Sequence, residues 1–246
     1  MKSPNGITTI LFDLDDTLRH NEPHGHGFFL DYAATLGAPD LANNRHNARQ
    51  WAFQYWADSE HLFEDINTHG RGEPAFWHNY SVRHLVAMGC TTEQAQELAP
   101  QVHQHMSDNY EPEDVVLPET KETLKELHAA GYTLAVVTNR SEPVHEYIHE
   151  IELGHYFDFT LAGGEIKSWK PKPEIFHAAL ERAGVTAEQA VYVGDNYYAD
   201  ILGARAVGIF PILLDPHTHF PDADCQVIRL LSDLVAVLDN GIDSNV

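Results

Sequence analysis

The feature that most constrains the fold of this chain is an alternation. Short apolar runs rich in β-branched residues recur at 7–12, 133–137, 157–161, 190–193 and 209–214. Between them lie segments of helical spacing, 119–130, 142–152, 173–183 and 198–207, closed in turn by Gly131, Gly154, Gly184 and Gly208. Continuous apolar strands of this kind are buried on both faces, as in parallel sheets, and glycine after the last helical turn is the expected stop signal. Right-handed crossovers then place helices on both faces. The expected fold class is α/β, a doubly wound parallel sheet. Residues 20–112 break the alternation: they are aromatic, His-rich and helical in period, with no strand pattern. They read as a helical insert, so that 1–19 with 113–246 form the core. Two Pro-containing stretches, 21–27 and 110–116, read as the linkers, and the polar tail from 239 as frayed.

Bulk properties narrow the function classes. A chain of 246 residues is long enough to bury a sizeable core. Its formal net charge of −22 argues against a nucleic-acid surface, which needs Lys and Arg to neutralise phosphates. Any anionic substrate must be drawn in by a metal and a few placed cations. Cys90 and Cys225 lie far apart and suggest neither a disulfide framework nor a zinc site. No apolar run approaches the roughly 20 residues of a membrane helix, and no signal pattern opens the chain, so a cytoplasmic protein with no membrane partner is expected. Monomer and homodimer are both compatible with the sequence.

In open α/β sheets, ligands bind beyond the carboxyl ends of the strands. Those ends carry Asp13 and Asp15 after the first strand, Thr138 and Asn139 after the second, and Asp195 after the fourth, with Asp200 a little over one turn later. Lys170 lies in the loop after the third strand. Two unit charges about 4 Å apart repel by about 4 kcal/mol at an effective dielectric near 20, so converging carboxylates call for a cation. A donor set of oxygens alone favours a hard ion, and Mg²⁺ is the usual partner of phosphate oxygens.

The motifs Asp13-Leu14-Asp15-Asp16-Thr17-Leu18, Thr138-Asn139, Lys170 with Pro171 and Pro173, and Gly194-Asp195 through Asp200 occur in that order. In this the sequence resembles the haloacid dehalogenase-like hydrolase superfamily, over about residues 7–19 and 115–215. The resemblance implies a Mg²⁺-dependent phosphatase acting on a small phosphorylated metabolite, with the insert as an α-helical cap. It implies that Asp13 attacks phosphorus to form an aspartyl phosphate, and that Asp15 serves as general acid and then base. Asp13, the Asp15 backbone carbonyl, Asp195 and Asp200 would hold the metal. Thr138, the Asn139 backbone and Lys170 would grip the phosphate.

A sugar-phosphate mutase like β-phosphoglucomutase shares these motifs and stays open as an alternative. Haloacid dehalogenation needs no acid at the position of Asp15, and a noncatalytic binding protein could dispense with Asp13, Asp15 and Lys170 alike. No lysine lies between 20 and 112, which disfavours the Schiff-base chemistry of related phosphonate hydrolases. Taken singly, Asp16 reads as a turn residue, and Trp51, Tyr55 and Trp56 as packing at helical spacing. Arg45, Arg49, Arg71 and Arg83 read as solvated or anion-holding, while Arg19, His20, His24 and His26 sit just downstream of the nucleophile, where the family places a flap.

Overall fold

The computed structural model describes residues 6–240. The chain opens with β1 (Thr9–Phe12) and a short β2 (His20–Glu22). Five helices follow: α1 (Gly25–Thr35), α2 (Ala42–Trp56), α3 (Glu60–His69), α4 (Pro74–Ala87) and α5 (Thr92–Asn109). After β3 (Glu113–Val115) come α6 (Pro118–Ala129), β4 (Thr133–Thr138), α7 (His145–Glu150), β5 (Phe159–Ala162), α8 (Gly163–Ile166) and α9 (Pro173–Ala183). The last elements are β6 (Ala190–Gly194), α10 (Leu202–Ala206), β7 (Phe210–Leu214), β8 (Gln226–Ile228) and α11 (Asp233–Asn240). Asp239 and Asn240 thus close a helix, and the remainder of the expected tail lies outside the described residues. The chain divides into two compact units, 1–20 with 114–246, and 21–113. The segments that run from one to the other pair as the β2–β3 ribbon.

The first unit holds a six-stranded sheet of order β5-β4-β1-β6-β7-β8, parallel throughout. Its strands are buried on both faces, and successive residues serve opposite cores because side chains alternate across a strand. Ile10, Phe12, Leu134, Val136, Val191 and Val193 pack with Leu124 and Leu127 of α6 and Leu234 and Leu238 of α11. Leu11, Ala135, Val137 and Tyr192 pack with Ile175, Phe176 and Ala179 of α9. Each such aliphatic side chain contributes about 1.5–3 kcal/mol when fully buried, so the register is strongly fixed. That register aligns Phe12 with Val136 and Val193, which brings Asp13, Thr138 and Asp195 out at one edge.

Three departures from the sequence pattern have local causes. The expected helix 142–152 begins at His145, because the residue before Pro143 is pushed out of the helical region. The expected helix 198–207 opens as a π-type turn, Tyr197–Ile201, before α10. There the Asn196 side chain accepts hydrogen bonds from the amides of Tyr198 (3.0 Å) and Ala199 (3.2 Å). Strand β8 spans three residues, too few to set up a period legible in the sequence.

The second unit is helical. Phe29, Leu30, Ala33, Leu85, Met88, Ala95, Ala99 and Val102 form its main core. A second cluster joins Tyr55, Leu62 and Phe76 with Trp51, Trp56 and Tyr80. Trp51 and Tyr55, one turn apart on α2, lie with ring centroids 4.9 Å apart. Among the described residues, no helix is long and apolar enough to cross a membrane.

Candidate active site

The parallel register delivers Asp13 from the end of β1, where its amide still donates to the Val193 carbonyl at 2.9 Å. Asp195 follows β6. Asp200 is turned back toward that strand end by the π-type turn, and its Oδ2 accepts from the Asn196 amide at 2.9 Å. The carboxylate packs so closely on Gly194 that a Cβ there would lie 2.3 Å from Asp200 Oδ2, so the strand has to end in glycine. Ligand oxygens of Asp13, Asp195 and Asp200 all lie within 4.8 Å of one another.

Lys170 is buried and supplies the local positive charge. Its Nζ donates to Asp13 Oδ1 (2.6 Å), Asp200 Oδ1 (2.7 Å) and the Tyr192 hydroxyl (2.9 Å). Burial works against the ammonium, but Asp13 and Asp200 outweigh it and keep Lys170 charged, its pKa well above the ordinary lysine value. Asp13 is pushed up to about 7, first by burial and then by Asp200 and Asp15, with Lys170 opposing. Asp195, though partly accessible, is pushed well above the carboxylate range by loss of water and by Asp16, Asp13 and Asp200. Three carboxylates and one ammonium leave a formal charge of −2. An oxygen-only donor set with that deficit fits a hard dication.

Asn139 acts through its side chain. Its Oδ1 accepts from the Lys170 amide (2.6 Å) and its Nδ2 donates to the Lys170 carbonyl (3.0 Å), which clips the lysine loop to the end of β4. Its backbone stays uncommitted to that contact. Thr138 is buried at the same strand end, and its Oγ1 accepts from the Arg140 amide at 3.3 Å.

The Asp15 side chain faces arginine. Arg140 donates to it in bidentate fashion, Nε to Oδ2 at 2.9 Å and NH2 to Oδ1 at 2.7 Å. Arg19 adds NH1 to Oδ1 at 3.0 Å and also pairs with Asp114. Arg140 in turn lies 4.1 Å from the Tyr147 ring centroid. Despite the cost of burial, its hydrogen bonds to Asp15 raise the pKa of the guanidinium. Asp16 takes a left-handed turn conformation with φ 61°, while its charge still reaches Asp195.

Sequence reasoning missed two of these groups. Arg140 follows the Thr138-Asn139 pair directly, so its position was available as a signal. Tyr192 is a polar residue inside an otherwise apolar buried strand, which is itself a signal that its hydroxyl has a partner. Elsewhere, Arg45 is tied to Asp31 and Asp40, Arg83 to Glu64 and Asp65, and His24 caps α1 through the His26 amide.

A family model described as haloacid dehalogenase-like hydrolase matches residues 7–208. A human haloacid dehalogenase-like hydrolase domain-containing protein 3 is 30% identical over 243 residues, covering 95% of this chain and 94% of that protein. A phosphoglycolate phosphatase of Pseudomonas fluorescens is 29% identical over 201 residues, covering 81% of this chain, which spans 66% of that enzyme's length. Among solved structures, a 2-haloacid dehalogenase from Pseudomonas syringae pv. tomato superposes with a TM-score of 0.55 at 28% identity, covering 95% of this chain and 99% of that one.

Proposed function

The chain belongs to the haloacid dehalogenase-like hydrolase family, and we propose that it is a Mg²⁺-dependent phosphatase that cleaves a small phosphorylated metabolite through a phosphate carried on Asp13. The observation that carries this reading is the crowding of Asp13, Asp195 and Asp200 around a single buried ammonium, that of Lys170. Such a cluster keeps a place for a dication and for an anion bound beside it.

In this reading the α/β unit is catalytic and the helical unit, the counterpart of the family's cap in sequence order, governs which substrates are accepted. Asp13, the Asp15 backbone carbonyl, Asp195 and Asp200 would hold Mg²⁺, which would neutralise charge on the transferring phosphate. Because Asp13 Oδ1 is engaged by Lys170, Oδ2 is assigned as the nucleophile. It forms a bond to phosphorus as the ester P–O bond breaks, and the alcohol leaves with a proton from Asp15. Water then attacks the same phosphorus, Asp15 takes its proton, and inorganic phosphate and the Asp13 carboxylate are regenerated. Arg140 and Arg19 hold the Asp15 side chain in place through their hydrogen bonds. Thr138 and the Asn139 backbone hold the phosphoryl oxygens, and Lys170 offsets their charge. Fixed charges of this sort supply most of the catalysis in phosphoryl transfer.

Asp15 favours phosphoryl transfer over dehalogenation, since only the former has a leaving oxygen to protonate. A panel of phosphorylated metabolites assayed with Mg²⁺ for phosphate release, with Asp13→Asn as the blank, tests the proposal. Phosphate release well above the blank from at least one compound is expected. No release across the panel, or isomerisation that needs a bisphosphate primer, would replace it with another activity.

A further inference from the structure

The Lys170 ammonium has three hydrogens and three partners, and the partners differ in kind. Two are the carboxylates of Asp13 and Asp200. In the proposed cycle both change state: they take up a metal, and Asp13 also takes up phosphorus. The third partner is the Tyr192 hydroxyl at 2.9 Å, fully buried on β6. This hydroxyl also bonds the Val137 carbonyl of β4 at 2.8 Å, across the intervening β1. The direction of both bonds is fixed by chemistry. An ammonium only donates and a carbonyl only accepts, so Tyr192 must turn its hydrogen to Val137 and a lone pair to Lys170.

We infer that Tyr192 is a positioning residue for catalysis, the fixed anchor that holds the Lys170 ammonium in place while its two carboxylate partners exchange ligands. The surroundings make the anchor rigid. The Tyr192 ring packs edge-on against Phe176 of α9, with centroids 5.2 Å apart, within the core beneath the sheet. Asn139 clips the lysine backbone independently, so Lys170 is held at its main chain by one side chain and at its tip by another. A four-carbon side chain fixed only at the main chain keeps most of its rotamers. Anchoring the tip is what turns a nearby charge into one aimed at the nucleophile.

The inference rests on the phosphatase reading for its kinetic part, and the experiment separates the two. Tyr192→Phe keeps the ring and its packing and removes only the hydroxyl. With p-nitrophenyl phosphate and Mg²⁺, kcat is expected to fall about 10- to 100-fold, the scale of one hydrogen bond to a charged group. KM should stay within about threefold, the pattern of an interaction used in the transition state. Because Tyr192 acts through Lys170, Lys170→Ala and Lys170→Ala/Tyr192→Phe should turn over within about threefold of each other, a non-additive cycle. A merely structural tyrosine would lower both backgrounds alike. A crystal structure of Tyr192→Phe supplies the readout that needs no activity: Lys170 Nζ should leave its joint contact with Asp13 and Asp200. Wild-type kcat in Tyr192→Phe, an equal loss in the Lys170→Ala background, or an unmoved ammonium in the crystal each overturns the inference. If the wild-type protein itself releases no phosphate from any ester, the phosphatase reading fails, and the position of the ammonium alone decides for Tyr192.

Discussion

Both units of the protein bury aspartate, and Asp65 and Asp13 are treated in opposite ways. Asp65, in the helical unit, is 1% exposed. Its Oδ2 accepts from the Tyr55 hydroxyl at 2.9 Å, and its Oδ1 accepts from Arg83 Nε at 3.2 Å and NH2 at 2.9 Å. One guanidinium, which also pairs with the exposed Glu64, thus answers one deeply buried carboxylate. Asp13, in the α/β unit, is 7% exposed and shares a single ammonium with Asp200, with Asp195 alongside. The first arrangement is complete as it stands, whereas the second is short of positive charge. The contrast teaches that burial of an acid does not mark a functional site. Under-compensation does, because a protein leaves buried charge unmatched where something else arrives to match it.

The sharpest way to break the comparison is to change the nucleophile. Asp13→Asn keeps the shape and loses the nucleophilic oxygen, so phosphate release should drop by about 10⁴-fold or more, with circular dichroism unchanged. Substantial turnover in this variant would remove covalent catalysis at Asp13 from the account. Removing divalent ions with a chelator comes next, at about a thousandfold, since a bound dication supplies several kcal/mol of charge stabilisation. Calorimetry gives a second readout. Mg²⁺ should raise the melting temperature of the wild type by mass action and that of Asp195→Asn much less.

The metal-free protein should also show a pH signature. Asp13 titrates near 7 when folded against a reference of 3.8, so the folded state binds the extra proton between those values. Stability of the metal-free protein therefore declines as pH rises from about 4 to about 7, and Mg²⁺ should flatten that decline.

The helical unit should respond in stability and not in charge chemistry. Arg83→Leu leaves Asp65 buried and unpaired, and because Arg83 is partly exposed the cost should be about 2–3 kcal/mol in urea unfolding. Asp65→Leu/Arg83→Leu should recover much of it. A double variant no more stable than the single one would mean that the pair is not the balanced unit described here.

The smallest effect concerns His84, which is buried against Phe29 (centroids 4.4 Å) and Trp51 (5.3 Å). Burial, reinforced by Arg49, lowers its pKa to about 3. Between that value and the reference of 6.5 the unfolded chain binds the extra proton, so stability is full above 6.5 and lost as pH falls. About 1 kcal/mol of stability should go between pH 7.5 and 5.5, and His84→Phe should reduce that loss. An unchanged acid slope in His84→Phe would assign it to other groups.

Much of the α/β unit was legible because its strands are apolar on both faces and its helices end in glycine, signals that survive in a single sequence. Asp13, Lys170, Asp195 and Asp200 were legible because the register of a parallel sheet is regular enough to place strand ends together. Arg140 and Tyr192 were not read, for different reasons. Arg140 stands beside a motif, but its partner, Asp15, lies 125 positions earlier and is met only in the fold. Tyr192 looked like strand packing, and its hydroxyl is explained only by Val137 and Lys170 from two other elements. The π-type turn at Tyr197–Ile201 was likewise hidden, since its residues fit a helical period and only Asn196 capping and the reach of Asp200 to the strand end reveal it. In the helical unit, aromatics at helical spacing showed that α2 would pack, but the Asp65–Arg83 pair spans 18 positions and left no local trace.

The most direct test is to catch the phosphate. Enzyme mixed with p-nitrophenyl phosphate and Mg²⁺, quenched in acid within its turnover time and digested, should give a peptide containing Asp13 that carries one added phosphate, lost on treatment with hydroxylamine and missing from Asp13→Asn. Phosphate release at full rate with no modified Asp13 peptide, or with the phosphate on another residue, would contradict the account at its centre.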